Sequence, residues 1–320
     1  MSTKNDVLSV LTSAEAPVSG EWLARKLGVS RNSVWKAIGQ LRDEGYVIEA
    51  APNRGYRLIV APDRISIPEI RQWLKSGEIG GRMELHRTLD STNTRAKAIA
   101  ATGAPHGYLV IAESQTGGKG RMGRAFFSPE HSGVYITYVL RPNMLAEKAV
   151  MITSMAAVAV ARAIEAVADV KVGIKWVNDL YINARKVCGI LCEASMDFES
   201  GQLEYAVLGI GVNVAAMTFP EELSAIATSI ENECGYLVSR NRLIAEISNQ
   251  LNALYGQLDT LEFMAESRER SVVIGRDVRV IRGDSAYPAR VLDIDGQGRL
   301  VVQTGAGVSR LNSGEVSLKR

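Results

Sequence analysis

Four apolar, β-rich runs, 170–176, 180–182, 187–192 and 205–214, follow one another with no helical segment between them. Strands that adjoin in this way build an α+β sheet domain, not a doubly wound one. Two more strand-like runs, 107–112 and 133–140, precede them, and helical spacing marks 67–75, 92–101, 146–167 and 239–266. At 320 residues the chain exceeds what one hydrophobic core usually serves, so two or three domains are expected. With 46% apolar and 22% charged residues it falls outside the disordered and collagenous classes. The longest uncharged apolar stretch, 149–161, is too short for a bilayer, so no membrane partner is expected. The first residues lack the basic and apolar regions of a signal peptide, which predicts a cytoplasmic protein. Three cysteines, an odd number, fit a reducing compartment.

The expected domains are 1–62, 63–271 and 272–320. In the first, a helical stretch at 6–11 precedes a second helix at 19–27 that Gly28 ends; Ser30 then caps a third, with Val34, Ile38 and Leu41 at helical spacing. Strand-like runs at 46–51 and 55–60 form a hairpin across Pro52-Asn53-Arg54-Gly55. Helix, glycine turn, helix and hairpin predict a winged helix-turn-helix. Its third helix offers Arg31, Asn32, Ser33, Trp35 and Lys36 to base edges, and Arg54 and Arg57 on the wing to phosphate. The same pattern also suits a three-helix module that binds protein or nothing. The tail carries short β runs at 278–281, 289–294 and 300–303 between glycine turns, which predicts a small SH3-like β-barrel.

The central domain carries the chemistry. Gly118-Lys119-Gly120-Arg121-Met122-Gly123 matches a dinucleotide fingerprint by letter, but a strand follows where that fingerprint needs a helix. Glycines interleaved with Lys119, Arg121 and Arg124 suit a mobile loop closing over a phosphate or carboxylate, or a plain basic hairpin. In Lys175-Trp176-Val177-Asn178-Asp179 the Asn-Asp pair either helps hold a hydrated Mg²⁺ on nucleotide phosphates or is a simple turn. Arg185-Lys186 puts a cation at the mouth of an apolar strand. Gly209-Ile210-Gly211-Val212-Asn213 leaves room for a flat ligand or marks close packing. Cys188 and Cys192 read as packing residues.

Together, Ser91-Thr92-Asn93, Gln115 with the basic glycine loop, Lys175 to Asp179, Arg185-Lys186 before Gly189-Ile190-Leu191, and Gly209 to Asn213 closely resemble biotin protein ligases in order and spacing. With the winged helix and the barrel, the chain resembles the bifunctional class, a biotin ligase that also represses biotin synthesis genes. The resemblance implies an α+β multidomain protein whose central mixed sheet is related to class II aminoacyl-tRNA synthetases. It also implies a reaction. Biotin and ATP give biotinyl-5′-AMP, and biotin then passes to a lysine of the biotin carboxyl carrier protein of acetyl-CoA carboxylase. Biotinyl-5′-AMP is also the implied corepressor, bound by a homodimer on operator DNA.

By motif position, Ser91, Thr92, Asn93, Gln115, Gly118, Lys119, Gly120, Arg121, Lys186, Gly209 and Gly211 would bind biotin. Arg121, Arg124, Phe126, Lys175, Asn178, Asp179, Lys186 and Asn213 would face ATP, with Asn178 and Asp179 toward Mg²⁺; Lys186, Arg121 and Asp179 would be catalytic. Three residues depart from the pattern: Lys119 for an arginine, Val177 for a proline and Phe126 for the tryptophan of some members. Two other readings compete. A regulator that senses a nucleotide without ligating is opposed by the intact Lys186 and Asp179, and a lipoate ligase by the basic loop.

Overall fold

The structure, a computed structural model, describes residues 3–14, 16–43, 46–51, 55–60, 64–282, 285–312 and 315–318. Helices α1 (Thr3–Ser13), α2 (Gly20–Leu27) and α3 (Arg31–Asp43) precede an antiparallel hairpin, β1 (Val47–Ala51) and β2 (Gly55–Val60). Local chemistry sets these boundaries. Ser19 Oγ accepts from Trp22 N at 3.1 Å to open α2; Gly28, at φ 65°, ends it in the left-handed region that a side chain resists. Ser30 Oγ accepts from Ser33 N at 3.0 Å to open α3. Val7, Leu8, Leu11, Leu23, Val34, Ile38 and Leu41 close a separate core. The hairpin tip, including Arg54, and the expected boundary near 62 lie outside the described residues.

The central unit contains α4 (Ile67–Trp73), β3 (Met83–Leu89), α5 (Thr92–Ala101), β4 (Tyr108–Gln115), β5 (Gly133–Leu140), α6 (Ala149–Val167), β6 (Gly173–Lys175), β7 (Asp179–Ile182), β8 (Arg185–Met196) and β9 (Leu203–Asn213). Helices α7 (Glu221–Ser224), α8 (Ile230–Cys234), α9 (Arg240–Tyr255) and α10 (Phe263–Glu269) follow. Its seven strands run β3-β4-β5-β9-β8-β7-β6; only β3 and β4 pair in parallel, which makes the sheet mixed as expected. Apolar side chains of α6 and α9 belong to the main core, while Ala96 and Ala100 of α5 pack with Val110, Val139 and Val207 in a smaller one.

Several expectations need correction. The apolar segment continues to Val167: residues 146–167 form a helix long and apolar enough to cross a membrane, yet 67% of its most apolar window is buried within the protein. The single helix expected over 239–266 is two, separated by a turn in which Leu261 takes φ 58°. The run 170–176 is strand only at Gly173–Lys175, because Val172 N donates to Glu165 Oε1 instead of to a neighbouring strand. β8 is longer than 187–192, and β3, α7 and α8 had no counterpart in the sequence reading.

The tail forms β10 (Asp277–Arg282), β11 (Ser285–Ile294), β12 (Leu300–Thr304), β13 (Gly307–Leu311) and β14 (Glu315–Leu318), antiparallel in the order β13-β12-β11-β10-β14. Val278, Val280, Val291, Leu300 and Val302 join the main core, and Trp176 Nε1 donates to Gly298 O at 2.9 Å. At the other end, Glu113 of β4 accepts from Ile65 N at 2.6 Å and pairs with fully buried Arg240 at 2.8 Å. Asn241 Nδ2 donates to Glu69 Oε2 at 2.7 Å, and Tyr46 OH of the first unit lies 3.5 Å from Glu69 Oε1.

Candidate active site

The residues that open α5 and those that end β4 meet over the strands β8 and β9. Thr92 donates to Gln115 Oε1 through its backbone N at 2.8 Å and its hydroxyl at 3.1 Å, and Gln115 Nε2 donates to Ser128 Oγ at 2.9 Å. Asn93 Nδ2 donates to Glu193 Oε2 at 2.9 Å, and its Oδ1 accepts from the Thr137 hydroxyl at 2.7 Å. Thr92, Asn93 and Gln115, with Ser91, line a cleft of about 460 Å³, part of it open to solvent, floored by Gly189, Leu191, Gly209 and Gly211. A set of fixed donors and acceptors over an apolar floor suits a small molecule with one polar edge.

Thr137 is fully buried and its hydroxyl also lies 2.8 Å from Thr92 Oγ1. Thr137→Val keeps the shape but leaves Asn93 Oδ1 without that donor, a loss of about 1–3 kcal/mol. The expected result is a rise of about tenfold or more in the KM for the small molecule this cleft takes, with little change in kcat.

The alternating glycines floor the cleft and also pack closely against side chains of the chain itself. A Cβ on Gly209 would strike the Asn93 carboxamide, and one on Gly211 would lie 2.6 Å from the Phe126 ring. Phe126 therefore rests on the sheet, edge-on to Tyr135 with centroids 6.4 Å apart. The basic loop is a closed hairpin: Gly120 N donates to Arg124 O at 2.7 Å and Phe126 N to Gly118 O at 2.9 Å. Gly118 shapes this hairpin without lining either cleft of the site, whereas Lys119 and Gly120 line the first. Lys119 Nζ donates to Thr94 Oγ1 at 2.8 Å.

A second cleft, of about 1300 Å³ including open solvent, shares Gly120, Arg121, Phe126, Asn178 and Lys186 with the first. Arg124, Lys175, Asp179 and Asn213 line it too. Lys186 Nζ lies 2.7 Å from Asp179 Oδ1, and Arg121 Nη1 donates to Asn178 Oδ1 at 2.8 Å. Asn178 Nδ2 donates to Ile190 O at 3.1 Å, which ties the Asn-Asp pair to β8; the peptide before Val177 is cis. Lys175 Nζ sits 5.5 Å from the Tyr181 ring centroid. Buried Asn213 donates to Thr228 O at 3.0 Å. The geometry thus gathers four cations, Arg121, Arg124, Lys175 and Lys186, around one space. No cluster of three or more His, Cys, Asp or Glu occurs among the described residues.

Ser128, Thr137 and Glu193, which hold Gln115 and Asn93, escaped the sequence reading. Glu193 was within reach: it follows Gly189 and Leu191 at the strand period of two. Cys188 and Cys192 pack as expected, burial pushing the Cys192 thiol up to about 12 and Cys188 further still. In the first unit Arg31, Asn32, Trp35 and Lys36 are exposed on α3. Ser33 instead turns its hydroxyl to Ser30 Oγ at 2.8 Å.

Residues 85–213 match the biotin/lipoate A/B protein ligase family, 3–57 an HTH domain, and 273–319 the biotin protein ligase C-terminal domain. The chain is 37% identical to the bifunctional ligase/repressor BirA of Bacillus subtilis, over 94% of both chains. It is 30% identical to the BirA of Escherichia coli K12, over 94% of this chain and 92% of that protein. The fold is also that of the biotin protein ligase from Aquifex aeolicus, solved with biotin and ATP. That match has a TM-score of 0.64 at 24% identity and covers 75% of this chain and 99% of the other. The sheet with its clefts, the helix-turn-helix before it and the strands behind it agree with these matches end to end, and the chain belongs to the biotin protein ligase family, as a bifunctional ligase and repressor.

Proposed function

We propose that the two clefts are consecutive halves of one reaction path, with biotin in the first, ATP in the second and Lys186 at their junction. The observation that carries this reading is the position of Lys186, which borders both clefts. Thr92, Asn93 and Gln115 hold the ureido edge of biotin, and Ser91 closes that end. The biotin carboxylate, held by Lys186, attacks the α-phosphorus of ATP; the bond to the bridging oxygen breaks and pyrophosphate leaves. Arg121 and Lys186 stabilise the charge that gathers on the non-bridging oxygens, while Lys119 and Gly120 cover the adenylate. A carrier lysine, as free amine, then attacks the acyl carbon, AMP leaves with the bonding pair, and the amide forms.

Phe126, Arg124, Lys175 and Asn213 border the nucleotide half. Asp179 supplies one carboxylate and Asn178 one amide oxygen, a donor set that fits Mg²⁺ held mainly by water and phosphate. When bound, Mg²⁺ would neutralise phosphate charge and orient the leaving pyrophosphate. The test is direct: protein, biotin, ATP and Mg²⁺ release pyrophosphate and, with a biotin carboxyl carrier protein, label one lysine. Absence of both products rejects the assignment.

The repressor half uses α3 on an operator of biotin synthesis genes. Gln115, which faces biotin, and Glu113, which holds Ile65 N just before α4, stand two residues apart on β4, so ligand binding and the segment that leads into α4 share one strand. From Leu191 to Met196 β8 pairs with β9 alone, which leaves an edge for a second copy; a homodimer carrying biotinyl-5′-AMP as corepressor fits that edge and a palindromic site. Domains at 1–62, 63–271 and 272–320 in a cytoplasmic protein complete the assignment. Arg31→Ala or Lys36→Ala is expected to weaken operator binding about tenfold and leave biotin transfer unchanged, as read by gel shift and labelling. Equal losses in both assays would contradict a division of labour between the units.

A further inference from the structure

Helix α3 contains a glycine that nothing inside the protein requires. Its core side carries Val34, Ala37, Ile38 and Leu41. The opposite side, at i, i+4, i+7 and i+11, carries Asn32, Lys36, Gly39 and Asp43. Gly39 stands in the interior of a 13-residue helix, where glycine is the poorest residue after proline. Among the described residues, a Cβ built there meets no atom within 4 Å, and Gly39 does not take a positive φ. Gly20 in the same unit is different, for its Cβ would lie 3.2 Å from the Tyr56 ring. Neither packing nor backbone conformation therefore accounts for Gly39, and what remains is close approach of something outside the chain.

The surroundings say what approaches. Arg31, Asn32 and Lys36 flank the glycine on its N-terminal side, and Trp35, 65% exposed, stands one turn before it. Cations, an amide and an apolar ring suit phosphate, adenine and a thymine methyl in turn. Asp43 closes the stripe with a negative charge, which turns a polyanion away beyond Gly39. We infer that Gly39 is where α3 comes closest to the floor of the DNA major groove, so that the duplex, and not the protein's own packing, dictates a glycine there. This rests on the reading of α3 as the DNA-contacting helix.

The test uses the full chain and a duplex recovered from a randomised library by the wild-type protein in the presence of biotin and ATP. G39A and G39Q should raise the thermal midpoint or leave it unchanged, since both residues favour helix, and should ligate biotin as wild type does. Affinity for the selected duplex should fall several-fold in G39A and about thirtyfold in G39Q. The dependence of binding on salt should stay the same, because no phosphate contact is lost. Variants within about twofold of wild type would overturn the inference while leaving the DNA reading intact. A wild-type protein that recovers no duplex would overturn that reading and the inference with it.

Discussion

Lys186→Ala is expected to slow biotin-dependent pyrophosphate release by about 10²–10³, the range set by removing one preorganised group from a developing charge. The side chain has two relations that matter. Its ammonium lies 2.7 Å from Asp179 Oδ1, and it borders both the first cleft and the larger cleft beside it. Among the described residues no other cation except Arg121 borders both, and Arg121 is engaged with Asn178 Oδ1. Lys186→Arg keeps the charge but not its point-like geometry, so it should recover only part of the rate. The side chain is about one-third exposed, so the pair with Asp179 adds little to folding and the thermal midpoint should hardly move. A rate near wild type in Lys186→Ala would remove the residue from the chemistry.

The largest loss of stability is expected at Arg240. This guanidinium is fully buried, donates to Glu113 Oε2 at 2.8 Å and to Gly133 O at 3.1 Å, and so ties the start of α9 to the sheet. Arg240→Ala leaves the Glu113 carboxylate buried without this partner, at a cost of about 3–5 kcal/mol. Calorimetry should show the thermal midpoint lowered by about 10 °C. Because Glu113 Oε1 also accepts from Ile65 N, the segment that leads into α4 should loosen too, read as faster amide exchange there. Adding Glu113→Gln to Arg240→Met removes both charges and keeps an acceptor for Ile65, so the pair should regain most of the loss. An Arg240→Ala protein as stable as wild type would show that the ion pair does not hold these elements together.

Signals that act over a few residues were legible. The left-handed Gly28 and the cap at Ser30 bound α2 and α3 through neighbours no more than four positions away, whereas Ser19, expected inside the second helix, is its cap. The order of the motifs around 118–124, 175–179 and 186 carried the family resemblance, and through it pointed to residues of which Lys119, Arg121, Arg124, Lys175, Asn178, Asp179 and Lys186 line the clefts while Gly118 does not. What was hidden depends on register. Asn93 finds Glu193 and Thr137 across 100 and 44 residues of sequence, a meeting that only the pairing of β5, β9 and β8 arranges. β3 was missed because an edge strand of the sequence MELHRTL keeps His86 and Arg87 near solvent and shows no buried face. The break between α9 and α10 opens on Gly256, a stop signal that helical spacing over 239–266 overrides, and Leu261 within it gives no sign of its positive φ. The glycines at 209 and 211 left open room for a ligand or close packing, and they show both: they floor the first cleft and also admit Asn93 and Phe126, residues from far earlier in the chain.

The central claim is that one molecule of biotin lies with its ureido ring between Gln115 and Asn93 and its carboxylate at Lys186, facing ATP. A crystal structure of the full chain with biotin and ATP tests it most directly. The account predicts the biotin carboxylate, or the acyl phosphate made from it, within hydrogen-bond distance of Lys186 Nζ, and the adenine in the cleft bordered by Phe126 and Asn213. Biotin bound with its carboxylate turned away from Lys186, or seated outside the cleft between α5 and β9, would contradict it.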